Sequence, residues 1–375
     1  MPASFSPPRR VSVEVDLATL CANYRKIVDA VKPACVMAVL KANAYGLGVQ
    51  PIAAALAKSG VERFGVAEPH EALALSPLSL PVQILGSILP DELPAMVAAD
   101  VVLPVTDLRA AQWIQDEGAR QNRRVKVHFK IDTGMGRLGI LLPEARKTIN
   151  QAVRLPNLDP EGIYSHFPMA CRAGEAYTQQ QIDAFLALLH DLKADDISIP
   201  LRHMANSDAS CNFPQTAKVP FNLVRTGIDL HGPFDTEGGG TLPLRQVLTL
   251  KTRLISVRHL PTGMSIGYGL THRLACETSV GTISAGYADG LPLALSNRGH
   301  VLIRGVPCPI LGRISMDYTT VALDQVPDAA VGDEVICLGG EGPQAISVKD
   351  WASLKGTHPY EILCSISNRV ERRYV

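Results

Sequence analysis

Through the first two thirds of the chain, short apolar runs alternate with amphipathic stretches, and each pattern predicts a different element. VSVEV opens the series, and Asp16 then stands where an N-cap is needed, so a helix is expected over 17–31. The apolar runs that follow are VMAVLK (36–41), FGVA (64–67), VQILG (82–86), VVLPV (101–105), VKVHFKI (125–131), GIYSH (162–166), LRHMA (201–205) and LVRTG (223–227). Between them lie helical patterns such as PIAAALAKSG, ELPAMVAA, DLRAAQWIQDEG, EARKTINQAV and QQIDAFLALLHDL. Eight strands in about 200 residues, alternating with helices, predict a parallel (β/α)8 barrel of the TIM type. An open doubly wound sheet competes, but it normally carries fewer strands over this length. No GxGxxG follows the first strand, which leaves dinucleotide binding with little support.

The pattern changes near residue 235. DTEGGGTLP is a turn-rich break, and helical periodicity nearly disappears beyond it. VLTLKTRLISVRHL, SVGTISAG, HVLIRG, YTTVAL and DEVICLG read as strands, with a turn at Asn297-Arg298-Gly299. The expected organisation is a barrel over 16–240 and a mostly β domain over 241–375, with residues 1–15 adding a strand to the latter.

Composition narrows the function. The 375 residues carry 36 basic and 36 acidic side chains, and no long run of either sign. A polyanionic partner such as nucleic acid or a membrane surface therefore has no electrostatic footprint here. The eight cysteines are scattered without CxxC pairs or metal-ligand spacing, which reads as free thiols in a reducing compartment and no metal site. MPASFSPPRR lacks the apolar core of a signal peptide, and no apolar run approaches the roughly 18 residues of a membrane span. A soluble, cytoplasmic protein is expected.

In such a barrel the active site lies at the C-terminal ends of the strands. Those ends carry Lys41, Lys130, Asp132, Arg137, His166, Asn206, Ser207, Arg225, Thr226 and Gly227. Taken singly, each is an ordinary surface or hydrogen-bonded residue. Together, a lysine, a histidine and two arginines on one rim would repel one another unless an anion sat among them. A phosphorylated small molecule fits, with Ser207, Gly227 and backbone N–H groups as phosphate donors. A lysine beside a phosphate is compatible with pyridoxal phosphate (PLP), and equally with an aldolase-type lysine barrel acting on a sugar phosphate.

KANAYGLG, KIDTGMGRLG, SHF, ANSDAS, RTGIDLHG, GYGLT, GYADG, LSNRG, GRISMD and HPYE occur in the order found in alanine racemases, and the chain resembles that family from about residue 11 to its end. The resemblance implies a PLP-dependent amino-acid racemase with a barrel followed by a β domain. Lys41 resembles the lysine that holds PLP and serves as one catalytic base, and Tyr268 the second base. Tyr45, Ser207, Gly227, Ile228 and Tyr360 match phosphate contacts, with Asn206 beside them. Arg225 is similar to the arginine facing the pyridine nitrogen, and His166 to the residue that packs near the ring and bonds that arginine. Arg137 and Met316 match substrate-carboxylate contacts, Asp317 and Tyr287 neighbours at the substrate entrance, and Lys130 a lysine carbamylated in many members. In the family the tyrosine enters the partner subunit's site, so a head-to-tail homodimer is implied.

Some positions depart from the family pattern. His231 stands in LHG where tyrosine is frequent, Gly267 precedes Tyr268 where serine is common, and Leu47 replaces a frequent histidine. ISMDY also differs from the usual VCMDQ. These leave alanine as the expected substrate, with serine or a broader range open. Two rivals remain at this point: a related PLP decarboxylase, whose glycine-rich phosphate loop GGG at 238–240 superficially resembles, and a non-catalytic PLP-binding barrel.

Overall fold

The computed structural model describes residues 9–233 and 242–375, so the GGG run and the expected domain boundary at 240/241 lie outside the described residues. The chain forms two compact units. One comprises residues 20–44 and 48–245. The other comprises the chain up to Thr19, the three residues Tyr45–Leu47, and Gln246–Val375.

Strand β1 (Ser12–Val15) belongs to the second unit. Asp16 then caps the first helix, Leu17–Val31, accepting from the Thr19 N–H at 2.8 Å. The strands of the first unit are β2 (Cys35–Val39), β3 (Arg63–Val66), β4 (Val82–Ile84), β5 (Leu103–Val105), β6 (Val125–Asp132), the two-residue β7 (Ile140–Leu141), β8 (Leu158–Tyr164), β9 (Leu201–His203) and β10 (Leu223–Thr226). They form two parallel arcs, β10-β2-β3-β4 and β5-β6-β8-β9, with β7 pairing alongside β6.

Backbone bonds join the arcs at both ends. Ile84 N–H donates to the Val102 carbonyl at 3.0 Å, and Arg225 N–H to the Ala205 carbonyl at 3.0 Å. The result is a closed eight-stranded barrel with helices between its strands, which leaves no sheet edge in the ring.

Periodicity explains both faces of the wall. The helix Val49–Lys58 buries Ile52, Ala53 and Leu56, an i, i+1, i+4 stripe. Its two large apolar side chains each contribute roughly 1.5–3 kcal/mol of burial. Along β6, Val127, Phe129 and Ile131 are buried on one face, while His128, Lys130 and Asp132 alternate on the other. That alternation sends polar groups into the barrel interior.

In the second unit the strands are β11 (Leu248–Leu260), β12 (Ser265–Ile266), β13 (His272–Arg273), β14 (Thr278–Ile283), β15 (His300–Ile303), β16 (Val306–Pro309), β17 (Thr319–Ala322), β18 (Glu334–Leu338) and β19 (Glu371–Tyr374). The main sheet runs β16-β15-β18-β11-β1-β19, so β1 sits between β11 and β19. As expected the unit is mostly β, and among its described residues it also holds two short α-helices, Val348–Lys355 and Pro359–Cys364, that the sequence pattern did not announce. The first has a capping box between Ser347 and Asp350 and ends at Gly356 in the left-handed region, so its signals were local caps rather than long periodicity. Among the described residues no helix is long and apolar enough to cross a membrane.

Candidate active site

The stretch after β2 has an unusual backbone. Ala42, Asn43, Ala44 and Tyr45 all adopt left-handed φ values of 52–57°, a turn that costs non-glycine residues roughly 1–2 kcal/mol each. Hydrogen bonds hold it: Ala44 N–H reaches the Leu40 carbonyl at 2.9 Å, and Asn43 Oδ1 accepts from Val49 N–H at 2.8 Å. The buried Glu71 carboxylate adds a third fixture, accepting from Ala42 N–H at 2.5 Å, Ala67 N–H at 2.8 Å and Glu68 N–H at 3.2 Å. Lys41 is the first residue of this turn and is exposed. Sequence reasoning missed Glu71, whose only local signal was its place as the N3 residue of the capping box begun by Glu68.

Asp132 ends β6 and accepts from Gly134, Met135 and Gly136 N–H at 2.8–3.2 Å. Burial opposes its charge, but these bonds prevail and hold the carboxyl below its ordinary range. Its role is to fold the Gly-rich loop that carries Arg137. Lys130, in the same strand, is buried, donates to the Leu85 carbonyl at 2.5 Å and lies 5.3 Å from the Tyr164 ring centre. Burial, with Arg225, Arg137 and Lys41 nearby, brings its ammonium down to about 8.

Arg225, next to last in β10, is a buried guanidinium held by neutral acceptors. Nη1 lies 2.9 Å from His203 Nδ1 and donates to the His203 carbonyl at 3.2 Å. Nη2 donates to the carbonyls of Ser165 at 2.8 Å and Met204 at 3.0 Å, and lies 3.3 Å from His166 Nδ1. Burial pushes its pKa down to about 10, so it stays charged at neutral pH. Burial, together with Arg225, Arg137 and the two lysines, drives His166 down to about 3, making it a neutral imidazole. Next to them, Gly227 N–H donates to Ser207 Oγ at 3.1 Å, and Asn206 Oδ1 caps the short helix that begins at Ser207 through Ala209 N–H at 2.9 Å. Ile228 follows as a buried residue. The fold thus brings together, at the C-terminal ends of the strands, Lys41, Lys130, Asp132, Arg137, His166, Asn206, Ser207, Arg225, Gly227 and Ile228.

The remaining candidates lie in the second unit. Tyr45 and Tyr360 face each other with ring centres 5.9 Å apart. Their arrangement is fixed by Arg372, which donates twice to the Gly46 carbonyl, and by Tyr374, which donates to the Leu47 carbonyl at 3.0 Å. Tyr268 is 72% exposed, between Gly267 and Gly269, whose φ values of 70° and 74° make the turn. Tyr287 and Met316 are also exposed. Their segments are clamped: Tyr287 N–H donates to the Ser315 carbonyl at 3.0 Å, and a Cβ on Gly286 would lie 2.3 Å from the Met316 oxygen. Asp317 pairs with Arg369 at 2.9 Å, and Arg369 also holds the buried Asp289 at 2.8 Å.

With this geometry in place, the comparisons decide the family. Residues 15–234 match the model of the alanine racemase N-terminal domain, and residues 247–374 that of the C-terminal domain. The chain belongs to the alanine racemase family. The enzymes of this family are PLP-dependent. Among relatives, the alanine racemase of Halothermothrix orenii is 38% identical over 365 residues, covering 96% of each chain. That of Methanococcus maripaludis is 35% identical, covering 96% of this chain and 98% of its own. Among solved structures, alanine racemase from Clostridium difficile 630 superposes with a TM-score of 0.91 at 30% identity, covering 99% and 97% of the two chains. An alanine racemase from Bartonella henselae with covalently bound pyridoxal phosphate gives 0.87 at 29% identity, covering 98% and 100%.

Proposed function

We propose that this protein interconverts L- and D-alanine by a two-base mechanism, with Lys41 and Tyr268 as the bases. The observation that carries the reading is the Arg225 site. A buried guanidinium bonded to carbonyls and imidazoles shares its rim with Lys41, Lys130 and Arg137, and the nearby Asp132 is committed to loop amides. That donor set suits an anionic cofactor whose ring nitrogen accepts from Arg225.

PLP fits these residues. Lys41 would hold it covalently, Ser207, Gly227, Ile228, Tyr45 and Tyr360 would take its phosphate, with Asn206 capping the helix there, and His166 would pack near its ring. When bound, PLP supplies an electron sink that makes the α-proton of an amino acid removable. Arg225 holds its own proton too tightly to give it to the pyridine nitrogen, which weakens that sink and limits side reactions. Arg137 and the Met316 amide fix the substrate carboxylate, and Asp317 and Tyr287 flank its entrance. Lys130 steadies Arg137 as a carbamate; its lowered pKa favours the neutral amine, whose nitrogen attacks carbon dioxide with loss of one proton.

Racemisation needs one group to take the α-proton from one face and another to deliver a proton to the opposite face. Lys41 and Tyr268 serve as this pair, exchanging roles with reaction direction. The exposure of Tyr268, Leu270, Tyr287, Met316 and Tyr318 on one unit supports a head-to-tail homodimer in which Tyr268 enters the partner's site. A cytoplasmic location accords with the lack of any membrane-crossing helix among the described residues.

The test is to incubate the PLP-loaded protein with L-alanine in D2O, following α-deuteration and D-alanine. A folded, loaded sample that does neither refutes the reading. Carbon dioxide release from lysine, ornithine or diaminopimelate would replace it with decarboxylation. A panel including serine sets the substrate range.

A further inference from the structure

Behind Arg225 a chain of side chains from β9, β6, β8 and β3 runs through the barrel interior. His203 Nδ1 lies 2.9 Å from Arg225 Nη1, and His203 Nε2 lies 2.9 Å from His128 Nδ1. His128 Nε2 lies 2.9 Å from Glu161 Oε2. Glu161 is then clamped by Arg63 through two bonds of 3.1 Å. Both imidazoles are fully buried, whereas the Glu161 side chain is 22% exposed.

Donor logic leaves one arrangement of hydrogens. Arg225 can only donate, so His203 Nδ1 must be an acceptor. A neutral His203 therefore carries its hydrogen on Nε2 and donates to His128 Nδ1. His128 in turn carries its hydrogen on Nε2 and donates to Glu161, which also accepts from Arg63. A charged imidazole at either position would set two N–H groups against each other. Burial, the first cause, lowers both pKa values and agrees with neutral rings. His203 is further fixed by stacking on Tyr164, with ring centres 5.0 Å apart and planes within 3°.

We propose that Glu161, held by Arg63, is a positioning residue for Arg225. Through His128 and His203 it accepts the last hydrogen of the one arrangement that leaves His203 Nδ1 open to Arg225, so Arg225 keeps its proton and its orientation. A proton leaving Arg225 Nη1 for His203 Nδ1 would require two matched transfers, from His203 Nε2 to His128 Nδ1 and from His128 Nε2 to Glu161. The chain would end with neutral Arg225 and a protonated Glu161 facing two Arg63 donors. Arg63 makes that end state unfavourable. The carboxylate is thus the counter-charge that the Arg225 site lacks beside it, delivered along hydrogen bonds.

The test uses the full PLP-loaded chain with 15N-labelled histidine, reading each ring's tautomer by two-bond 1H–15N correlation. His128 and His203 are expected to show only the Nε2–H form through the neutral range. An Nδ1–H form, or titration near neutrality, overturns the proposal. Glu161→Leu removes the last acceptor, so the His128 Nε2–H, still fixed by the Arg225 end, should lose its hydrogen-bonded shift, with kcat down about tenfold and KM little changed. Glu161→Gln keeps an accepting oxygen and should restore the hydrogen-bonded His128 shift and most of kcat. An unchanged His128 Nε2–H shift together with unchanged kcat in Glu161→Leu refutes the relay. Only the kinetic arm rests on the proposed function. A wild type that racemises alanine with the wrong tautomers sinks the relay alone. The right tautomers without racemisation sink the functional reading alone.

Discussion

Glu71→Gln keeps the shape of a side chain that fastens the Lys41 turn, while replacing one carboxylate oxygen with an amide nitrogen. The carboxylate serves three backbone N–H groups, Ala42 on one oxygen and Ala67 and Glu68 on the other. The best glutamine orientation keeps its oxygen on the last two and turns its NH2 towards Ala42 N–H, donor against donor. Two charge-assisted bonds become neutral ones, roughly 1 kcal/mol each. The stranded Ala42 N–H adds roughly 1 kcal/mol, the low end for an unsatisfied donor, because Ala42 is exposed and water can reach it. The total is roughly 3 kcal/mol, comparable with the backbone cost of two of the four left-handed residues.

The loss falls on the turn that presents Lys41, so it should appear twice. The urea midpoint should fall by the equivalent of roughly 2–4 kcal/mol, and PLP affinity, followed by absorbance, should weaken about tenfold or more at 1.4 kcal/mol per decade. If both quantities match the wild type within about 0.5 kcal/mol, Glu71 does not hold the turn.

Other substitutions probe the remaining pieces. Gly162→Ala puts a methyl 2.4 Å from the His128 ring, so a loss of roughly 2 kcal/mol or more is expected in thermal unfolding, with displaced His128 signals. Tyr268→Phe removes an exposed hydroxyl, so unfolding should be unchanged while racemisation falls about 10²–10⁴-fold; unaltered turnover would exclude it as a base. Lys130 is held near 8 instead of 10.5, so folding it costs roughly 3 kcal/mol below pH 8. The native state sheds that proton first, and the penalty is therefore relieved as pH rises from about 8 to 10.5. In CO2-free buffer, Lys130→Met should stabilise most at neutral pH and progressively less on the way to pH 10.5. A pH-independent difference would contradict the assignment.

The barrel was legible because its strands are short apolar runs and its helices carry clear stripes. The candidate rim was legible because polar residues ended those runs. What escaped was polar chemistry inside strands. His128 and His203 stood in VKVHFKI and LRHMA as single interruptions of apolar runs, and nothing local told that they meet. Period two would have placed His128 on the Lys130 face, but its partners Glu161 and Arg63 come from other strands. The left-handed turn was equally hidden, since KANAY contains no glycine and helix propensity argues the other way. The helix Val348–Lys355 was missed because eight residues give too little periodicity to outweigh surrounding strands.

The position of β1 has a consequence for how the protein is made. Ser12 pairs with Lys251 on one side and Glu371 on the other. Synthesis proceeds from the N-terminus, so β1 emerges before its partners and waits for β11, and then for β19 more than 350 residues later. The three residues Tyr45–Leu47 wait similarly, because the unit that takes them up is completed only by the final segment. No single cut of the chain releases either unit whole. Ribosome-held fragments in which residues 371–374 have not yet emerged therefore carry an unfilled edge at β1, and the arrival of β19 is the event that permits the second unit to close.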